Sequence, residues 1–524
     1  MTKCDKRYIV YAAFCIALLP VLLLRDFTPD NELRYLSIAE EAIRNNTFFT
    51  FTNHGIPYAD KPPLYLWIVM LGKWLFGSHQ MWFLALASLI PAIITVDVID
   101  RWTGRLLDDK GHSSARLMLL TCGLFAGMAL TLRMDMLMCM FIVLALRSFY
   151  RLYTTRQHAG ADTSAYMAER WLFPVYIFFA VFSKGPIGIL VPLLSSIVFL
   201  LFKKKIRQFG YYWGWRTWIT LIVLCAAWFG SAFAEGGKAY IDNLLFHQTL
   251  DRAVNAFTHD RPFYFYCISV WYSIAPWSPL VIGTIIAAAL KKDKWPELQQ
   301  FFITVAATTF VMLSCISSKI HIYLLPAFPF LVYTAAISMS EYNKTKWFKL
   351  TIAIPAGIIV LSLPALAIAA QTGSADWLGQ PLLYLAAGIL TISGILAIIA
   401  IYRKQGSTNK AITILAAGIL LAVFTGGWAL PKAKAYIGYG ALCEQALKAA
   451  ETAHTDDFRT WKISRPENMD VYLSHDITEI PKDETPKATP GHTSILMTKT
   501  KYASLFAGNK TYEVGPYAVI ILNK

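Results

Sequence analysis

The 524-residue chain is 56% hydrophobic and 14% aromatic, with only 15% charged residues and a mean hydropathy of +0.46. It is too apolar for a water-soluble enzyme of this length. The formal net charge is +15, but the basic residues fall in short connections between apolar runs, the pattern that orients membrane helices, which disfavours nucleic acid as the partner. Eight cysteines are scattered without a CxxC pair, so neither a zinc site nor a disulfide framework is indicated.

The first apolar run, Arg7 to Leu24, follows Lys3 and Lys6 and is succeeded by no small-residue cleavage site. It reads as a retained transmembrane helix with its N-terminus inside. The connection 25–79 then concentrates charge, with Asp26, Asp30, Glu32, Arg34, Glu40, Glu41, Arg44, Asp60 and Lys61. Within it, 31–45 places Leu33, Leu36, Ile38, Ala39, Ala42 and Ile43 along one side, predicting an amphipathic helix that lies in the membrane interface. Asp30 stands just ahead, after Pro29, where it serves either as a cap or as a carboxylate at the water–lipid boundary able to take a proton from a hydroxyl. YADKPPLYLW begins a second interfacial helix, its two prolines presenting Asp60 and Lys61 from a stiff corner.

Further spans are predicted at about 80–99, 116–132, 136–150, 171–183, 187–202, 218–234, 265–290, 298–316, 320–338, 349–370, 381–402 and 410–429, thirteen in all with the first. With the N-terminus inside, inner connections hold clusters such as Lys203, Lys204, Lys205 and Arg207, while the short outer ones hold only Arg133, Lys184 or Lys319. This fixes the orientation and puts the C-terminus outside. After Pro431 the composition turns mixed and polar, with a helical pattern near 437–453 and β-rich runs FRTWKIS, MDVYLS, TSILMT and TYEVGPYAVIIL. The expected division is a transmembrane portion, 1–430, and a small outer α/β domain, 431–524, that caps the outer loops without supplying catalytic groups.

Lone cations on the side that should be poor in them, Lys61, Arg133, Lys184 and Lys319, call for an anionic partner, and a phosphate fits. Asp135 either pairs locally with Arg133 or is a functional carboxylate. The outer loop 235–264 adds His247, Asp251, Arg252, His259, Asp260 and Arg261. Asp60 with His259 forms a candidate divalent-metal pair if folding brings them together.

The pieces PDNELRYLSIAEEA, YADKPPLYLW, LRMDMLM, SKGPIG, THDRPFYFY, APW and SSKIHIYLLPAFP resemble, in order, the C-type integral-membrane glycosyltransferases of the protein O-mannosyltransferase superfamily. The chain is most similar to the bacterial branch containing the lipid A aminoarabinose transferase. The resemblance implies a multi-pass enzyme of the bacterial inner membrane with a periplasmic C-terminal domain and an active site in outer loops 25–79 and 235–264. It would move a sugar from a polyprenyl-phosphate donor to a lipid A, glycan or protein acceptor, with inversion and without a required cofactor. In that family an acidic residue of the first outer loop is the base, here Asp30 or Glu32, because the usual Asp-Glu-x-Arg-Tyr is written Asp30-Asn31-Glu32-Leu33-Arg34-Tyr35. Lys61, Arg261 and Tyr323 match donor-phosphate positions and Asp135 matches the acid of the second outer loop. A transporter or flippase of lipid-linked sugars should instead carry polar residues at mid-membrane depth, and a non-catalytic assembly protein leaves the loop carboxylates unexplained.

Overall fold

The computed structural model describes residues 3–157, 164–244, 261–291, 295–343, 345–373, 375–403, 407–487 and 491–523. Every predicted span is helical, yet among the described residues nine helices are long and apolar enough to cross a membrane, or ten if one bent pair counts as a single span. Three shorter apolar helices, Leu64–Phe76, Ile187–Phe202 and Ser278–Leu290, stand beside them. The chain forms two compact units. One comprises Met1–Leu19, Ala59–Tyr65 and Ala85–Gly426, the other Pro20–Tyr58, Leu66–Leu84 and Gly427–Lys524. Most of the first outer loop thus groups with the C-terminal residues, while Ala59–Tyr65, with Asp60 and Lys61, groups with the spans.

In the first unit, helix Asp135–Gln157 packs along Ser164–Lys184, and His321–Tyr342 is the most enclosed span, with 78% of its apolar window buried. Lys346–Gln371 has only 17% buried, which leaves its Leu, Ile and Ala side chains to face lipid. Two expected spans are broken. Asp109–Leu120 and Gly123–Leu130 meet at 62°, and 265–290 divides into Phe265–Ser273 and Ser278–Leu290. The breaks satisfy each other: Gly123 N donates to Ala275 O at 2.8 Å, and Trp277 Nε1 donates to Thr121 Oγ1 at 3.0 Å. Backbone groups freed inside a membrane persist only with such partners.

In the second unit, a π-helical turn Pro29–Leu33 leads into helix Arg34–Asn45. The apolar side of this helix packs on protein. Leu33, Tyr35, Leu36, Ile38, Ala39 and Ala42 are at most 2% exposed, so protein covers more of it than one apolar stripe. Glu41 is enclosed as well, because its carboxylate accepts from Thr52 Oγ1 at 2.5 Å, His54 N at 2.6 Å and Gly55 N at 2.9 Å. It thereby holds the turn between strands Thr52–Asn53 and Ile56–Pro57. The two prolines after Lys61 lead straight into Leu64–Phe76, as expected.

The C-terminal part carries helices Leu430–Ile437 and Gly440–Ala453 and a five-stranded sheet. Its spatial order is Ile477–Ile480, Phe458–Trp461, Ser494–Lys499, Tyr517–Leu522, Lys510–Val514. The first three strands run parallel and the last two pair antiparallel. Trp461, Leu496, Phe506, Ala518, Ile520 and Leu522 form one core cluster. MDVYLS, read as a strand, is instead a 3-10 turn, Pro466–Met469, running into helix Asp470–Leu473. Pro466 follows a left-handed Arg465, and the Asp470 carboxylate accepts from Val471 N at 2.8 Å, so local turn chemistry overrides β-propensity. The strand Ile477–Ile480 was not anticipated, because this edge strand has Thr478 and Glu479 exposed.

Glu40 joins two of these helices, contacting Lys73 at 2.6 Å and His79 at 3.1 Å. Burial alone would raise its carboxyl, but the hydrogen bonds from His79 and Lys73 outweigh it and hold the pKa at about 2. A depressed carboxylate contributes stability that is fully present above its ordinary value near 4.5 and is lost as pH falls toward 2. We expect Glu40→Gln to cost on the order of 2 kcal/mol at neutral pH, with allowance for water at the partly exposed side chain. Thermal unfolding of wild type and variant across the acid range should show the gap closing between these values; a pH-independent gap would remove Glu40 as its source.

Candidate functional site

The residues singled out by sequence divide between the two units. In the first unit, Asp135 opens helix Asp135–Gln157 with its side chain fully buried. Lys184 Nζ donates to Asp135 Oδ1 and Arg133 Nε donates to Oδ2 at 3.0 Å. The local Arg133–Asp135 pair exists, but Lys184, 49 residues away, completes it as a triad. Burying one carboxylate between two cations offsets the desolvation that each charge suffers.

The sequence SKGPIG shapes this corner. Lys184 is the last residue of Ser164–Lys184, Gly185 turns the chain at φ +95°, and Pro186 precedes helix Ile187–Phe202. A Cβ on Gly188 would meet Ala180 C at 2.3 Å, so only glycine lets the two helix ends approach. Ser88 Oγ fixes the neighbouring bend by donating to Thr131 O at 2.7 Å and to Arg133 O at 3.2 Å.

Lys184 Nζ lies 4.5 Å from the Tyr323 ring centroid, and Lys61, Asp135, Asp60 and Arg133 all act electrostatically on the Tyr323 hydroxyl. Lys61 contacts Asp60 at 3.3 Å. Lys319, only 4% exposed, donates to Arg261 O at 2.9 Å, while Tyr266 OH donates to Ile320 O at 3.2 Å. The structure therefore gathers Lys61, Asp135, Lys184 and Tyr323 and joins Lys319 to Arg261. Around Tyr323 the cations Lys61, Arg133 and Lys184 outnumber the acids Asp60 and Asp135. Such a site favours an anion.

His259, the rest of 245–260 and the metal pair that includes His259 lie outside the described residues. Among the described residues no group of three or more His, Cys, Asp or Glu is arranged to hold a metal. Asp60 is engaged by Lys61, and a cation at that distance opposes a divalent ion on the same carboxylate.

In the second unit, Asp30 is exposed, whereas Glu32 is completely buried. Arg25 clamps Glu32 with two parallel hydrogen bonds of 2.6 and 2.7 Å, and Thr28 adds its N–H at 2.8 Å and its hydroxyl at 2.9 Å. Four donors on one carboxylate leave its oxygens occupied by the fold. Sequence reasoning overlooked Arg25, although opposite charges seven residues apart flanking a helix start were a visible signal. It also overlooked the role of Asp26, whose carboxylate accepts from Tyr472 OH at 2.5 Å, Gly440 N at 2.8 Å and Phe27 N at 2.9 Å. Glycine is needed at 438 and 440, where a Cβ would come within 2.6 and 2.7 Å of that carboxylate. Ser37 Oγ donates to Asp470 Oδ2 at 3.0 Å, a second tie between the first loop and the C-terminal residues.

No family model matches the chain. It is 25% identical over 368 residues to an uncharacterized protein of Aquifex aeolicus, covering 68% of this chain and 69% of that protein. It is 24% identical over 314 residues to undecaprenyl phosphate-alpha-4-amino-4-deoxy-L-arabinose arabinosyl transferase 2 of Pseudomonas fluorescens, covering 59% and 52%. The transferase of Shewanella sediminis is 22% identical over 352 residues, covering 67% and 63%. The chain thus spans from just under half to just under two thirds of the length of the transferases it matches. Among solved structures, ArnT from Cupriavidus metallidurans bound to undecaprenyl phosphate aligns over 99% of this chain and 98% of that one, with a TM-score of 0.75 at 17% identity. Its apo state gives 0.74. The chain has the ArnT fold, and its resemblance to the aminoarabinose transferases holds across the sequence comparisons.

Removing Lys184 would strand Asp135 in the interior beside a single cation. We expect Lys184→Ala to lower stability by about 3–5 kcal/mol, and Lys184→Met with Asp135→Asn to recover part of it. Thermal unfolding of the detergent-solubilised protein measures both; a Lys184→Ala protein as stable as wild type would mean that the triad is not a structural element.

Proposed function

We propose that this chain is a glycosyltransferase that uses a polyprenyl-phosphate-linked sugar as donor. The observation that carries the proposal is the excess of cations around Tyr323, built on the fold of an enzyme solved with undecaprenyl phosphate. Lys61, Arg261 and Tyr323 bind the donor phosphate. Lys184 and Arg133 are held by Asp135, so their positive charge is positioned before the substrate arrives. Asp135 is thus a positioning residue for the cations.

The reaction is a displacement at the anomeric carbon. An acceptor oxygen forms the new bond to that carbon from one face, while the bond to the phosphate oxygen breaks on the other and its electron pair leaves with the polyprenyl phosphate. Negative charge grows on the leaving phosphate, so cations fixed in advance stabilise the transition state more than the ground state. Where the acceptor is a hydroxyl, its proton passes to Asp30, the exposed carboxylate of the first loop, and not to Glu32, whose oxygens are occupied. The acceptor is a lipid A, glycan or protein group; likeness to aminoarabinose transferases supports the glycolipid.

Asp30→Asn should lower transfer by at least about 100-fold without loss of stability, since the side chain is exposed and among the described residues no ion pair is made to it. Glu32→Gln should instead lower stability, because an amide cannot accept all four donors of the Arg25 and Thr28 clamp. Turnover of purified variants with a polyprenyl-phosphate sugar, read beside their thermal unfolding, separates the two. Normal turnover in Asp30→Asn would dismiss it as the base.

The alternation of basic connections supports placing the enzyme in the inner membrane with thirteen spans, a cytoplasmic N-terminus and residues 431–524 in the periplasm. Reporters fused after Lys204 and after Lys501 should then report opposite sides. Agreement between them would rule out the thirteen-span arrangement.

A further inference from the structure

At the far end of the helix that carries Lys184, a cavity of about 240 Å³ opens among Arg170, Tyr211, Arg216, Thr217, Gly210 and Gly214. Arg170 lies near the N-terminal end of Ser164–Lys184 and Lys184 at its C-terminal end, about 21 Å apart at 1.5 Å per residue, so this cavity is separate from the cations around Tyr323. Arg156 and Arg170 both lie over the Tyr211 ring, 3.7 and 4.9 Å from its centroid. Arg216 lies over Trp171 and Trp215 at 5.8 and 5.3 Å, and its Nη1 is buried with no hydrogen-bond partner.

Among the described residues, none of these three guanidinium groups has a carboxylate partner. The acid nearest in sequence, Glu169, is taken by Arg151 and Ser148. Three like charges gathered without a counter-charge among the described residues repel one another, and a buried guanidinium nitrogen without a partner adds a desolvation cost. An anion with several oxygens relieves both, and the guanidinium fork matches phosphate. The rim indicates where the phosphate comes from. Trp215 lines the cavity and Trp171 lies against Arg216, 66 and 49% exposed, and the following turns of Trp215–Asp242 add Trp218, Ile219 and Ile222 at 39, 52 and 62%, an exposed apolar surface with interfacial tryptophans that a free phosphate does not need but acyl chains do. Lys203, Lys204, Lys205 and Arg207 in the adjoining connection add attraction for an anionic leaflet.

We propose that this cavity binds the phosphate headgroup of an anionic phospholipid, in the leaflet opposite the catalytic face. Bound there, the lipid joins helices Asp135–Gln157, Ser164–Lys184 and Trp215–Asp242 through Arg156, Arg170 and Arg216.

The test compares thermal unfolding of the purified full chain in phosphatidylglycerol vesicles, in phosphatidylcholine vesicles, and in phosphatidylcholine with matched inorganic phosphate. Phosphatidylglycerol should raise the midpoint by several degrees over the other two, and Arg170→Gln with Arg216→Gln should abolish most of that increment while leaving the phosphatidylcholine value near wild type. Should the double variant fail to fold, Arg156→Gln, a change at an exposed side chain, should still reduce the increment. Equal midpoints in both lipids, an increment that survives all the variants, or its reproduction by inorganic phosphate alone would each overturn the assignment.

Discussion

A carboxylate shut away from water sets the terms for the membrane unit. Asp135 cannot remain charged in that interior unless Lys184 and Arg133 approach it together, and this requirement fixes where helix Ser164–Lys184 must end. The glycine turn at Gly185 and the close approach at Gly188 follow from it. Two side chains that would otherwise sweep solvent are thereby aimed, one of them across the Tyr323 ring. Folding has already ordered these charges, so an anion arriving beside Tyr323 would meet them in place.

The same economy governs the broken helices. A kink at Thr121 and another near Pro276 would each expose backbone groups to hydrocarbon, but they are placed side by side and exchange hydrogen bonds. Neither break is stable alone in a membrane, and each supplies what the other lacks.

How much of this was legible in the sequence depended on the range of the interaction. The helical runs, the proline corner before Leu64 and the glycine-proline corner after Lys184 are written locally and were readable. Lys61, Asp135 and Tyr323, singled out from separate motifs, stand near one another. The Asp135–Lys184 contact was not readable, because nothing near either residue encodes a partner 49 positions away. For the same reason the two spans looked continuous, since apolar composition does not register a break that a distant segment repairs. Glu32 was ambiguous because its character is set by Arg25 and Thr28, whose arrangement depends on the turn between them. MDVYLS misled because β-branched and aromatic residues weigh less than the turn chemistry around Pro466 and Asp470.

The bond between Asp26 and Gly440 joins positions 414 residues apart, and this separation carries a schedule. A ribosome adding about 5–20 residues per second needs roughly 20–80 s after finishing Asp26 before Gly440 exists. Throughout that interval the first loop lacks the helix end and the Tyr472 hydroxyl that anchor it, however early its own helix forms. A nascent chain already threaded into the bilayer therefore cannot complete the setting around Asp30, and the loop takes its final form only when the last part of the protein has been made.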